Sequence, residues 1–189
     1  MSIENKPLRM IRPHLEDIPV FSLSPAYSLR QYQPGDEQAW LAIQSAADQY
    51  NTITPKLFVR EFGDDPAVLT QRQFYLCDRQ QTAVGTATAW FNDDFQGRRY
   101  GQVHWVAILP EHQGLGLAKP LMSATCKRLR ELGHKRAYLT TSTVRLAAIN
   151  LYLRFGFTAQ IKSTEDQITW NTLLEQIKKP TDPPNTETL

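Results

Sequence analysis

The strongest constraint on the fold is a change of hydrophobic period in the middle of the chain. Residues 100–109 read YGQVHWVAIL, rich in β-formers. From Leu117 onward, Leu117, Leu121, Ala124, Leu129 and Leu132 recur at helical intervals, and Gly133 stands where a left-handed C-cap is wanted. Between the two runs lies a short turn holding Gly114 and Gly116. A strand that feeds directly into a helix over residues 117–132 makes this an α/β chain.

The flanking segments extend that reading. Residues 27–32 predict a strand, Pro34-Gly35 a turn, and Asp36 an N-cap for a helix whose Trp40, Ile43, Gln44 and Ala47 share a face. Thr54 before Pro55 predicts a second, short helix through Phe62. Residues 73–78, 82–91 and 100–109 read as an antiparallel meander, with NDDFQGRR as a connecting loop. Residues 136–143 predict a strand, 145–155 a helix stopped by Gly156, and 157–161 and 167–170 two closing strands. The order is βααβββαβαββ, a mixed, mostly antiparallel sheet flanked by helices.

Composition narrows the function. Across 189 residues, 21 Lys and Arg against 19 Asp and Glu leave a net charge of +2, which provides no field for nucleic acid or an anionic membrane. No apolar run approaches the ~20 residues of a membrane span, and the N-terminus lacks a secretory core, so a cytoplasmic protein is expected. Cys77 and Cys126 suit buried thiols, and no zinc-type spacing occurs, so no metal is expected. Residues 1–28 carry Pro7, Pro13, Pro19 and Pro25 and predict an extended arm, whose apolar residues should lie against a domain over 29–179. The proline-rich residues 180–189 predict a flexible tail.

The turn itself carries chemistry. Gln113, Gly114, Leu115, Gly116, Leu117 and Ala118 leave several backbone N–H groups at a helix start with little bulk around them, a nest for anionic oxygens such as a pyrophosphate. The dinucleotide fingerprint fails because Lys119 stands at its third glycine. A Gly-x-Gly pair that only shapes the turn explains the same residues. Neither a P-loop nor a nucleophile elbow is present.

With a second stretch, TTSTVRLAAINLYLRFGF, the turn resembles the GNAT superfamily of N-acetyltransferases. Gln113, Gly116 and Ala118 match the family's Q/R-x-x-G-x-G/A turn, which binds the coenzyme A pyrophosphate. Leu151, Tyr152, Gly156 and Phe157 match its L-Y-x-x-x-G-F pattern, and the element order matches from about Leu29 to Trp170. The resemblance implies that the strand holding Val106 and Ile108 pairs through its backbone with the pantetheine arm, often beside a bulge. Core packing accounts equally for those two side chains.

It also implies that Tyr152 returns a proton to the departing thiolate. Arg145 stands where many members carry a cofactor-binding Asn, and fits either a phosphate contact or a solvated helix start; Asn150 is a weaker polar candidate. Gln102 occupies the place of a catalytic Glu and cannot serve as base; His104, on the same strand face unless a bulge intervenes, has the chemistry of a base, and a packed or solvent-facing histidine explains it as well. His112 beside the turn suits a surface or phosphate contact.

The expected activity is direct transfer of the acetyl group of acetyl-CoA to an amine by a monomer or homodimer. The acceptor stays open among small molecules, amino acids, and peptide or protein amines. A non-catalytic acyl-CoA-binding or sensor domain of the same fold is the alternative.

Overall fold

A computed structural model describes residues 4–178. Its strands are β1 (Pro7–Arg12), β2 (Ser28–Gln31), β3 (Gln73–Cys77), β4 (Ala83–Phe95), β5 (Arg98–Ile108), β6 (Ala137–Ser142) and β7 (Thr158–Ala159). The helices are α1 (Asp36–Ala47), α2 (Pro55–Phe62), α3 (Pro66–Arg72), α4 (Ala118–Glu131), α5 (Leu146–Arg154) and α6 (Thr164–Lys178). Hydrogen bonding orders the strands β2-β3-β4-β5-β6-β1-β7 in one seven-stranded sheet. The pairs β2–β3, β3–β4, β4–β5 and β1–β7 are antiparallel, and β5–β6 is parallel. The mixed, mostly antiparallel fold read from the sequence is therefore present.

The chain divides into two compact units, one spanning Arg12–Leu139 and the other joining the residues up to Ile11 to those from Thr140 onward. In the first, Trp40 of α1, Leu57, Phe58 and Phe62 of α2, Leu69 of α3 and Tyr75 of β3 form one buried cluster. A second cluster joins Leu76, Val84 and Ile108 to Leu117 and Leu121, so the first turn of α4 is anchored on β3, β4 and β5.

Local chemistry sets the element boundaries. The Thr54 side chain accepts from Leu57 N–H at 3.1 Å with Pro55 in the first turn, as expected of α2. Asp65 and Pro66 do the same for α3, a helix the sequence reading leaves out. Asp36 is not the cap of α1. Gly35, at φ 100°, holds that position, while the Asp36 carboxylate takes Arg30 at 2.6 Å and Gln33 N–H at 2.7 Å. The expected loop NDDFQGRR is instead a hairpin: Gln96 and Gly97 both adopt positive φ, 57° and 70°, the pair of values a two-residue turn between twisted strands requires.

Within the expected arm, Pro7–Arg12 form a strand. β1 alternates exposed Pro7 and Arg9 with buried Leu8 and Met10, pairs with β7 through Met10–Ala159 and Ile11–Thr158, and lies between β6 and β7 in the strand order. Lys6 and Thr143 add a reciprocal backbone and side-chain link, at 3.0 and 2.9 Å. The strand expected at 167–170 is part of α6. Ser163 and Asp166 form a reciprocal capping box there, each backbone N–H meeting the other's side chain at 3.1 Å. The tail expected at 180–189 lies outside the described residues.

Candidate functional site

β5 is the element on which the site is built. Its ladder with β4 pairs Thr86 with Ala107 and Thr88 with His104, so Trp105 and Val106 together oppose Ala87 in a β-bulge. Trp105 carries the strain, at φ 50°. Two side chains support it: Gln44 of α1 donates from Nε2 to the Trp105 carbonyl at 3.0 Å, and Trp105 Nε1 donates to Glu61 Oε2 of α2 at 3.2 Å. Pairing with β6 covers only Gly101 and Gln102, so among the described residues no strand partner meets the rest of that edge of β5. Val106 lies half-buried on the unpaired stretch, whereas Ile108 is buried in the core and has only its backbone to offer.

At the end of β5 the chain makes a 3-10 turn at Pro110–His112 and then the glycine turn. Gly114 and Gly116 sit at φ 75° and 76°, and a Cβ at either would meet nothing within 4 Å. Gln113 Nε2 donates to the Ile108 carbonyl at 2.8 Å and ties the turn to the strand. α4 has no side-chain cap at Leu117. Among the described residues no acceptor meets the N–H groups of Gly114, Leu115, Gly116, Leu117 and Ala118. Five consecutive donors at the positive end of a helix dipole form an anion cradle with little steric bulk. His112 is held beside it by Tyr27, whose hydroxyl lies 3.0 Å from Nδ1.

His104 is part of a polar chain. The Tyr138 hydroxyl donates to Gln102 Oε1 at 2.8 Å, which leaves the Gln102 amide nitrogen to donate to His104 Nδ1 at 2.9 Å. The imidazole then presents its Nε2 proton to Glu61 Oε2, also at 2.9 Å. This hydrogen bond, with those of Arg60 and Trp105, holds the Glu61 carboxyl down at about 2 despite its burial. The sequence reading misses Glu61. The available signal is a carboxylate on α2 between the core residues Phe58 and Phe62. Of the aromatic residues near this region, Trp40, Phe58 and Phe62 are core, Trp90 and Trp105 pack against them, and Tyr50 is exposed.

Tyr152, Arg145 and Asn150 belong to the other unit. Tyr152 is buried, and burial pushes its hydroxyl up to about 12, against a lowering influence of Arg145. Arg145 is the residue at the N-cap of α5, and Asn150 is exposed on that helix.

The sequence model of the acetyltransferase (GNAT) family matches residues 37–157, a span containing β5, the glycine turn and α5. The chain belongs to this family. Among relatives, it is 31% identical over 160 residues to a mycothiol acetyltransferase of Thermobispora bispora, covering 79% of this chain and 52% of that protein. Another mycothiol acetyltransferase, from Pseudarthrobacter chlorophenolicus, is 35% identical over 155 residues, covering 75% and 46%. This GNAT chain thus spans about half the length of those relatives.

The fold matches a GCN5-related N-acetyltransferase from Sphaerobacter thermophilus with a TM-score of 0.63 at 20% identity, covering 82% of this chain and 50% of that one. It also matches the ribosomal-protein-S18-alanine N-acetyltransferase of Escherichia coli with a TM-score of 0.58 at 19% identity, covering 74% and 86%. No described helix is long and apolar enough to cross a membrane.

Proposed function

We propose that this GNAT chain transfers the acetyl group of acetyl-CoA to a primary amine. The observation that carries the reading is the run of five unpartnered N–H groups from Gly114 to Ala118, which suits the pyrophosphate of coenzyme A. The bulged, unpaired stretch of β5 offers backbone groups to the pantetheine arm, and N–H near Val106 to the thioester oxygen as it gains charge. The relatives named mycothiol acetyltransferase support acetyl transfer.

In the proposed reaction the amine nitrogen attacks the thioester carbonyl, the C–N bond forms, the C–S bond breaks, and the nitrogen loses a proton. His104 is the acceptor of that proton. Because Gln102 blocks Nδ1 with an N–H, uptake there requires the Gln102 amide to turn over and present its oxygen, and Glu61 then faces a charged imidazolium. Tyr152 acts on the leaving group, a role resting on the family's L-Y-x-x-x-G-F pattern. A hydroxyl at about 12 holds its proton more tightly than a thiol near ~8.5, so Tyr152 stabilises the thiolate as a hydrogen-bond donor, and solvent completes protonation. Arg145 is assigned to phosphate or acceptor contact.

The test is calorimetric titration with coenzyme A, followed by thiol release from acetyl-CoA with an amino sugar, free amino acids, a peptide N-terminus and a lysine peptide. Micromolar binding and amine-dependent thiol release are expected. Absence of binding overturns the reading, and binding without release to any amine converts it to the sensor alternative.

A further inference from the structure

The segment before β2 lies outside the matched family region, which begins at residue 37, yet it forms one wall of a cavity beside the glycine turn. The cavity holds about 420 Å³ and is lined by Phe21, Ser22, Leu23 and Ser24 on one side and by residues 115–117, Lys119 and Pro120 on the other. Ser123 of α4 pins the arm there: its hydroxyl accepts from Phe21 N–H at 3.2 Å and lies 2.8 Å from the Pro19 carbonyl, to which it donates. The Lys119 ammonium stands 5.7 Å from the centre of the Phe21 ring, and among the described residues it makes no ion pair with a carboxylate. Leu115, at the rim, is 59% exposed, an apolar side chain turned to water beside five unpartnered donors.

We propose that Phe21–Ser24 and the first turn of α4 together hold the 3′-phosphoadenosine end of coenzyme A. This inference rests on the acetyl-CoA reading above. If the thioester lies at the Val106 bulge and the pyrophosphate at the glycine turn, the nucleotide extends past the turn, where this cavity opens. Phe21 and Leu115 supply apolar surface for the purine. Ser22 and Ser24 supply hydroxyls, and Lys119 a cation for the 3′-phosphate. A cation over an aromatic face, unneutralised by any carboxylate, is a partly formed site for an aromatic ring bearing an anion.

The test titrates the full chain with coenzyme A, 3′-dephospho-coenzyme A and acetylpantetheine, which lacks the nucleotide. The unmodified protein should prefer coenzyme A to its dephospho form by roughly tenfold, the scale of one charge-assisted hydrogen bond. Lys119→Gln should abolish that preference while leaving dephospho-coenzyme A affinity within about twofold. Phe21→Ala should weaken both nucleotide-bearing ligands by roughly tenfold and leave acetylpantetheine unchanged, as loss of a stacking platform predicts.

Ser123→Ala, which frees the arm without altering the wall, should reproduce the Phe21 pattern more weakly. Equal affinity of the unmodified protein for coenzyme A and its dephospho form, or variants that weaken all three ligands alike, overturns the arm's role and leaves acetyl-CoA binding standing. Failure of coenzyme A itself to bind overturns the acetyl-CoA reading first. Unchanged melting temperatures across the variants exclude unfolding as the cause of any loss.

Discussion

Glu61 Oε2 accepts hydrogen bonds from both His104 Nε2 and Trp105 Nε1, so one carboxylate on α2 orients the imidazole and braces the bulged residue next to it. The two supports are coupled, and a change at Glu61 reaches both the proposed base and the shape of β5. Glu61→Gln keeps an acceptor and removes the charge facing an imidazolium. Turnover should fall by roughly tenfold or more with acetyl-CoA affinity nearly unchanged, within the range that positioned acid–base groups contribute. Steady-state kinetics with any active amine checks this, and an equal loss in coenzyme A binding would assign Glu61 to the shape of β5 alone.

Gly116→Val places a β-branched residue at φ 76° in open space, so its cost is backbone strain, about 1–3 kcal/mol, with no steric clash. The exposed turn can relax without unfolding the unit, but the N–H groups then no longer converge. Calorimetry should show coenzyme A affinity reduced roughly tenfold or more at a nearly preserved circular dichroism spectrum.

Tyr152→Phe removes the hydroxyl and keeps the buried ring. Turnover should drop by about 10²-fold or more. Since the hydroxyl titrates at about 12, the ratio of the two rates should stay constant from pH 7 to pH 10. A ratio that converges toward alkaline pH would contradict the hydrogen-bond role.

His134 is buried beside Phe91, with its Nε2 unpartnered; burial, with Arg99 and Arg72 nearby, depresses it from an ordinary 6.5 to about 4, against a raising influence of Asp93. Between those values the unfolded chain binds a proton that the folded chain refuses, so this contribution is full above pH 6.5 and drains away as the pH falls toward 4. Thermal midpoints should decline through that window. His134→Phe should flatten the decline, and an unaltered slope in the variant would assign the acid lability elsewhere.

Met10 is fully buried in β1. Met10→Ala should cost about 2–5 kcal/mol, the range for truncating a buried long side chain, and removal of residues 1–26 should cost more. Urea unfolding measures both, and a truncated chain with the midpoint of the full one would show that β1 contributes no stability.

Local signals were legible where short-range chemistry decides the structure. Thr54-Pro55 starts α2 as read, and Gly133, at φ 82°, follows α4 as a left-handed cap should. Asp65-Pro66 carries the same signal for α3, and Ser163 with Asp166 the signal for α6, where four apparent strand residues proved helical. Prolines drew attention to an extended arm and masked the alternation of Leu8 and Met10 that makes it a strand. The shape of the glycine turn was legible because the positive φ of Gly114 and Gly116 is a local backbone requirement. Glu61 was not, because its partners stand 43 and 44 residues away in sequence and only the packing of α2 on β5 brings them together.

The position of β1 sets an order on biosynthesis. Lys6 bonds Thr143 across 137 residues of sequence. On the ribosome β1 therefore waits through the synthesis of those 137 residues before the segment it bonds exists. The Arg12–Leu139 unit can condense while β1 is still an unpaired edge-former tethered ahead of it, and sheet closure is left as a late step. A chain arrested before Thr158 would then expose a strand primed to pair with a neighbouring polypeptide.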